Sequence, residues 1–286
     1  MRNFTFPVLL FSLFSLPVQA ADGHSCDFGA LESEKINDHF YVIHGAGNVG
    51  VLIGEDGVFL VDDHMADVTP ELLAVIREMS DGPIRYVVNT HVHGDHSGGN
   101  PGMSNEGAVI MAHDNVRRRL VNDGKQESSL PVITFNDEAS VYLNGEAVRL
   151  IHVGHAHTDG DSIIYFEDSN IVHMGDVMFN NCFPFIDIGR GGSASGTLSA
   201  VEAVLNTIDD ETVVVAGHGN TTNKAGLAAY HQAISVMVDS VAALKASGMS
   251  LEEVLEARPT AAYDETWTWM YGNAKSIVTA IYNSPD

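Results

Sequence analysis

His91-Val92-His93-Gly94-Asp95-His96 sets four side chains able to bind a metal within six residues. Imidazole nitrogen and carboxylate oxygen are donors that zinc and its neighbours accept. The stretch directly follows Ile84-Arg85-Tyr86-Val87-Val88, an apolar, β-branched run that predicts a buried strand. On an extended backbone His91 and His93 project to one side. Asp95 and His96 are adjacent and must diverge, which suits two metal positions better than one. Ser97-Gly98-Gly99-Asn100 has the composition of a tight turn that wraps backbone around a site. A lone histidine is usually incidental. Four donors at this spacing are much harder to reach by chance.

Further donors lie far downstream, as a site assembled by folding requires. Gly154-His155-Ala156-His157-Thr158-Asp159-Gly160-Asp161 offers two histidines just before the strand-like Ser162-Ile163-Ile164-Tyr165-Phe166. Asp176 follows the apolar Ile171-Val172-His173-Met174, and His218 follows Thr212-Val213-Val214-Val215. Each donor stands where a strand gives way to a loop, a position both rigid and open to substrate.

At these residues the sequence resembles the metallo-β-lactamase fold superfamily of hydrolases, over a span from about Ile36 to about His218. The resemblance implies an α/β fold, the four-layer αββα sandwich. It implies that His91, His93 and His157 hold one metal. It likewise implies that Asp95, His96 and His218 hold a second, with Asp176 bridging the two. His157 is preferred to His155 because the family pattern is a histidine followed by threonine and a short polar step into a strand. His155 then lines the approach or supports the site. Asp176 departs from the best-known β-lactamases of the fold. One subclass has cysteine there and lacks the second histidine of the opening motif, and another has no bridging carboxylate. The full set is similar instead to the glyoxalase II and lactonase branch, and to β-lactam-hydrolysing relatives that retain its site. Cys182, six residues past Asp176, is not the missing thiolate. A carboxylate bridge is a hard donor, so two zinc ions are expected, with manganese or iron also compatible.

The first twenty residues have a different character. Arg2, the apolar Phe4–Leu16 and the small-residue ending Val18-Gln19-Ala20 form a secretory signal, with cleavage expected after Ala20. The apolar run is too short to span a bilayer. The expected product is periplasmic or secreted, with no membrane association after cleavage. Residues 21–286 carry no Pro/Gly/Ser-rich linker and no short-period repeat, so one domain is expected. Thirty-eight acidic against fourteen basic residues disfavour nucleic acid and anionic membranes as partners. The same balance disfavours glyoxalase II proper, whose resemblance would call for basic residues gripping glutathione. A small-molecule substrate remains. Cys26 and Cys182 are the cysteines present; sequence leaves pairing and separate thiols equally open.

Apolar spacing predicts strands over 40–44, 49–53 and 58–61, and helices over 70–79 and 115–122. A hairpin over 139–143 and 147–152 turns at Asn144-Gly145. Strands over 162–166 and 171–173 precede a helix over 198–208, then a strand over 212–215. Helices over 225–246 and 251–256 follow, with a terminal helix over 264–282.

Two divalent cations sharing a water make a hydroxide nucleophile without serine or cysteine, and Asp95 would orient it. No Gly-x-Ser-x-Gly elbow competes with that chemistry. The expected target is a strained cyclic amide of the β-lactam type, with lactone, ester or thioester as the alternative. Lys224 or Arg190 would anchor a substrate carboxylate. Asp62 or Asp63 would brace a ligand histidine, and Phe179, Phe183 and Phe185 would form an apolar wall or simply pack. A non-catalytic metal-binding role and an iron redox role are the other classes. The complete ligand set weighs against the first, and His93, where di-iron relatives carry glutamate, against the second.

Overall fold

The computed structural model describes Cys26 and residues 29–285, so the signal-sequence expectation lies outside the described residues. The chain makes two sheets. The first has the spatial order β1 (Glu32–Lys35), β2 (Phe40–His44), β3 (Val49–Gly54), β4 (Gly57–Val61), β5 (Ile84–Asn89), β6 (Val109–His113), β7 (Ile133–Phe135). It is antiparallel up to β4 and parallel from β4 to β7. The second comprises β8 (Glu138–Leu143), β9 (Glu146–His152), β10 (Ser162–Phe166), β11 (Ile171–His173), β12 (Val213–Val215) and β13 (Thr222–Asn223). It is antiparallel except for the β11–β12 pair.

Strand alternation explains how the sheets stack. In β4, Phe59 and Val61 face the space between the sheets, where they meet Phe40, Leu52, Ile164, Phe166 and Val215. Val58 and Leu60 face outward onto Leu72 and Ile76 of α1 (Thr69–Met79) and Met103 of α3 (Asn100–Asn105). The second sheet repeats the scheme. Ile163, Val172 and Val214 pack outward on Val201 of α5 (Ala194–Leu205), Ile234 and Met237 of α6 (Lys224–Ala246), and Ile277 of α9 (Ala274–Asn283). The result is the αββα sandwich. Asn144 and Gly145 both take positive φ, 57° and 78°, and join paired Leu143 and Glu146 as a two-residue hairpin turn requires. Helix α6 is long and apolar enough to cross a membrane, but its Leu227, Ile234 and Met237 are buried in the core.

Two expectations need correction. The terminal helix is interrupted: α8 (Asp264–Trp267) and α9 are separated by a stretch in which the Trp269 amide donates to the Gly272 carbonyl. The 198–208 helix begins at Ala194, where the Ser193 side chain accepts from the Gly196 amide, and ends at Leu205. The segment after the metal motif turns tightly at Gly98 and Gly99, between two short helices, α2 (Gly94–Ser97) and α3. Gly98 and Gly99 between them lie against backbone of Gly94, His64 and Asp63, with no room for a Cβ. Strands β1, β6, β7 and β13 are additional to the expected elements, and each pairs with a neighbour in its sheet.

Candidate metal centre

The site occupies one end of the sandwich, where β4, β5, β11 and β12 all finish. Asp62 follows β4, Thr90 and His91 follow β5, Asp176 follows β11, and His218 follows β12. His157 comes from the loop between β9 and β10. Asp62 and His64 hold left-handed backbone at φ 66° and 64°, a strained geometry of about 1–3 kcal/mol each that functional edges tolerate.

Two donor groups form. His91, His93, His157 and Asp176 offer atoms within 4.8 Å of one another, as do Asp95, His96 and His218. The Asp176 carboxylate faces both. Its Oδ2 is 3.6 Å from His91 Nε2, 3.5 Å from His157 Nε2 and 3.3 Å from His218 Nε2, and its Oδ1 is 3.0 Å from His96 Nε2. Asp95 Oδ2 lies 3.4 Å from His218 Nε2 and 3.6 Å from His96 Nε2. Asp95 and His96 thus converge instead of diverging, because residues 94–97 form a helical turn. Gly217 keeps this end closed: a Cβ there would strike Asp176 Oδ1 and the Gly175 backbone.

Whether these residues suit a metal is decided by their outer hydrogen bonds. His157 Nδ1 donates to the Phe185 carbonyl at 2.5 Å, and His93 Nε2 donates to Asp187 Oδ2 at 2.9 Å. In neutral rings the inner atoms, His157 Nε2 and His93 Nδ1, are then two lone pairs 2.8 Å apart. His96 Nδ1 donates to Asp62 Oδ2 at 2.8 Å, which in a neutral ring leaves an Nε2 lone pair 3.4 Å from His218 Nε2. His91 Nδ1 meets Thr90 Oγ1 at 3.0 Å, while that hydroxyl donates to Asp62 Oδ2. His91 Nε2 and Asp176 Oδ1 are buried with no hydrogen-bond partner. Lone pairs converging on lone pairs in a buried space repel unless a cation lies between them. The donors fit metal ions.

Without a metal, burial and the neighbouring charges together set the protonation states. It pushes His91 well below the usual imidazole range and His157 down to about 4, although Asp176 opposes it in both. Burial also opposes charge on His96, but Asp176, Asp95 and Asp62 outweigh it and hold that ring well above its usual value. Asp176 is held well below the carboxylate range because His96, His218, His91 and His157 together exceed the cost of burying it.

Other residues sort clearly. His155 is exposed and its Nδ1 contacts the Gly191 carbonyl, outside both donor groups. Asp62 is the brace and Asp63 is not: Asp63 accepts from the Gly99 amide. Lys224 does not reach towards the donors as expected; it opens α6 and its Nζ donates to the Ile208 carbonyl at 2.6 Å. Arg190 pairs with Asp123 at 2.9 Å and lies 3.7 Å from Asp187, so it supports the brace of His93 rather than standing free. Phe179 stacks on His218 with ring centroids 5.0 Å apart, Phe185 lies near His93 and His157, and Phe183 is buried against Trp267. Sequence reasoning missed Thr90, Asp187 and Trp269. Thr90 was within sight, directly before His91. Asp187 is 94 positions from His93, and Trp269, 5.1 Å from the His218 ring, sits in a segment without a motif.

The metallo-beta-lactamase superfamily matches residues 42–218, more than half of the chain. Fold and donor cluster define the same class: the chain belongs to the metallo-beta-lactamase superfamily, with two groups of side chains that could hold metal ions. A probable hydroxyacylglutathione hydrolase of Schizosaccharomyces pombe is 24% identical over 175 residues, 60% of this chain and 62% of that protein. The hydroxyacylglutathione hydrolase of Methylococcus capsulatus is 27% identical over 209 residues, 68% of this chain and 76% of that protein. The chain spans less than two thirds of the first curated relatives it matches, 62% of the yeast protein and 30% of a 2,4-dinitroanisole O-demethylase alpha subunit from Nocardioides sp.. Among solved structures, a metallo-beta-lactamase from Pontibacter korlensis superposes with TM-score 0.63 at 19% identity, over 72% of this chain and 99% of that one. A sec-alkylsulfatase from Pseudomonas sp. gives TM-score 0.71 at 16% identity, over 88% and 50%. These structural likenesses speak to the fold alone.

Proposed function

We propose that the protein is an exported two-metal hydrolase of an activated carbonyl. His91, His93 and His157 would hold one ion and Asp95, His96 and His218 the other, with the Asp176 carboxylate facing both sets of donors. The carrying observation is the set of inward lone pairs, each fixed by an outward hydrogen bond. Two divalent cations, zinc by donor type, would supply Lewis acidity that brings a water's pKa toward neutrality and polarises the carbonyl. Asp62, Thr90, Asp187 and the Phe185 carbonyl hold the rings in one tautomer, so no reorganisation is needed during turnover. Asp95, its side chain 19% exposed, is the acid at the open face and orients the attacking water's proton.

The disulfide between Cys26 and Cys182 supports export, since such bonds persist in oxidising compartments. A cyclic amide rests on the metal set, on export and on Lys224 or Arg190 as the anchor for its carboxylate. Lys224 and Arg190 have partners, which favours an uncharged ester or lactone over a β-lactam. Thioester hydrolysis is the second reading, supported by the names of the two hydroxyacylglutathione hydrolases. The test is turnover of lactones, esters, thioesters and β-lactams by the zinc-loaded protein, beside Asp176→Ala. Metal-dependent ester or lactone turnover that falls at least about a hundredfold in the variant is expected. No turnover of any of the four classes would sink the hydrolase assignment, and β-lactam turnover alone would restore the cyclic amide.

A further inference from the structure

Hydrogen bonds on the far side of the ring fix all but one of the histidines at the metal centre. Asp187 holds His93, Asp62 holds His96, the Phe185 carbonyl holds His157 and Thr90 meets His91. His218 differs. Its Nε2 faces Asp176 and Asp95, while its Nδ1 is buried with no hydrogen-bond partner among the described residues. A ring that gives its Nε2 lone pair to a cation carries its proton on Nδ1, and here that N–H meets no acceptor. The missing bond is the one that ordinarily sets a ligand ring's orientation.

Aromatic rings take its place. Phe179 lies parallel to His218, with an interplanar angle of 2° and centroids 5.0 Å apart. Trp269 lies 5.1 Å from His218 at 41°, and 5.6 Å from Phe179, so the three rings pack as one group. Both Phe179 and Trp269 are buried. The indole is itself fastened: its Nε1 donates to the Phe183 carbonyl at 2.8 Å, and the Trp269 amide donates to the Gly272 carbonyl at 2.9 Å. A Cβ at Gly272 would strike the indole nitrogen and the Phe183 carbonyl, so glycine there leaves room for the indole. This segment, between α8 and α9, lies outside the family-matched span of residues 42–218.

We propose that Trp269 is a positioning residue for the second metal position: with Phe179 it holds the His218 ring by packing, as hydrogen bonds hold the other four histidines. The consequence for metal binding rests on the two-metal reading, but the hold itself can be observed in metal-free protein. A ring kept in place by packing alone turns when that packing is removed, because no polar contact restores it.

Zinc would be titrated into the whole protein after metal removal, in competition with a chromophoric chelator. Imidazole NMR signals identify the step that moves His218 and the step that moves His157. In Trp269→Leu the affinity of the His218 step should fall about ten- to a hundredfold, while the His157 step stays within about threefold of the parent. Trp269→Phe keeps a ring against His218 and loses the bond to the Phe183 carbonyl, so both steps should stay within about threefold of the parent. Gly272→Ala displaces the indole and leaves every donor side chain intact, so it should weaken the His218 step as Trp269→Leu does. It also provides the same comparison if circular dichroism shows that Trp269→Leu does not fold. In metal-free parent protein the His218 ring signals should carry the shift imposed by the flanking aromatic rings, and lose part of it in either variant. An unchanged His218 step in Trp269→Leu or Gly272→Ala, an equal fall of both steps in Trp269→Leu, or a Trp269→Phe as weak as Trp269→Leu would overturn the proposal. A His218 ring held in metal-free protein but moved by no zinc step would keep the positioning role and remove the two-metal reading.

Discussion

At the scale of single residues, Asp62 carries more of the site than its distance from the reacting atoms suggests. One carboxylate accepts from the Thr90 amide, the Thr90 hydroxyl and His96 Nδ1, all at 2.7–2.8 Å. Through them it sets the tautomer of His96 directly and that of His91 by way of Thr90. Asp62→Asn keeps the volume but presents an amide nitrogen to at least one of those donors. Metal affinity at the second position should fall about ten- to a hundredfold, as losses of such braces do elsewhere, with little change in circular dichroism. Competition against a chromophoric chelator measures it. An affinity within threefold of the parent would show that His96 is oriented by something else. Asp187 braces His93 similarly, but its side chain is 20% exposed and shared with Arg190, so its removal should cost less.

Among the elements, the loop after β11 joins most parts of the site. It carries Asp176, stacks Phe179 on His218, gives the Phe185 carbonyl to His157 and Asp187 to His93. Its middle is fastened by Cys182 to Cys26, a closure of 156 residues. Chain entropy alone would give a bond of that span about 5 kcal/mol, but disulfides typically deliver about 2–4 kcal/mol, which on a chain of this size moves Tm by roughly 5–15 °C. The Cys26→Ser, Cys182→Ser double variant should melt lower by that order. It should also bind metal more weakly, because slack in the loop reaches four donor or bracing groups. Calorimetry with and without chelator separates the effects. A lower Tm with unchanged metal affinity would confine the disulfide to stability.

For the whole molecule, the sandwich brings strand ends from both halves of the chain to one edge, and the donors are divided accordingly. Binding two ions should therefore tie the halves together. Elemental analysis should find about two metals per chain, and exhaustive chelation should lower Tm by several degrees, restored on adding zinc. A single metal per chain in replete protein, with His96 and His218 unchanged in their NMR signals on chelation, would contradict the two-ion site.

The amino-acid sequence alone determined the donors and the frame that carries them. Strand periodicity, the Asn144-Gly145 turn and the placement of His91, Asp176 and His218 at strand ends are local patterns, readable because each depends on near neighbours. The tertiary structure decided what depends on distance across the chain. Periodicity carries no signal that Asp187 would meet His93, that Trp269 would flank His218, or that Cys26 would reach Cys182. It also assigned Lys224 to the Ile208 carbonyl, because a cation's partner is set by packing and not by its proximity in sequence to a ligand. Even within the opening motif, the helical turn at Gly94–Ser97 brought Asp95 and His96 together where an extended backbone would have parted them. Side-chain types state which chemistry is available; only long-range packing fixes the geometry in which they meet.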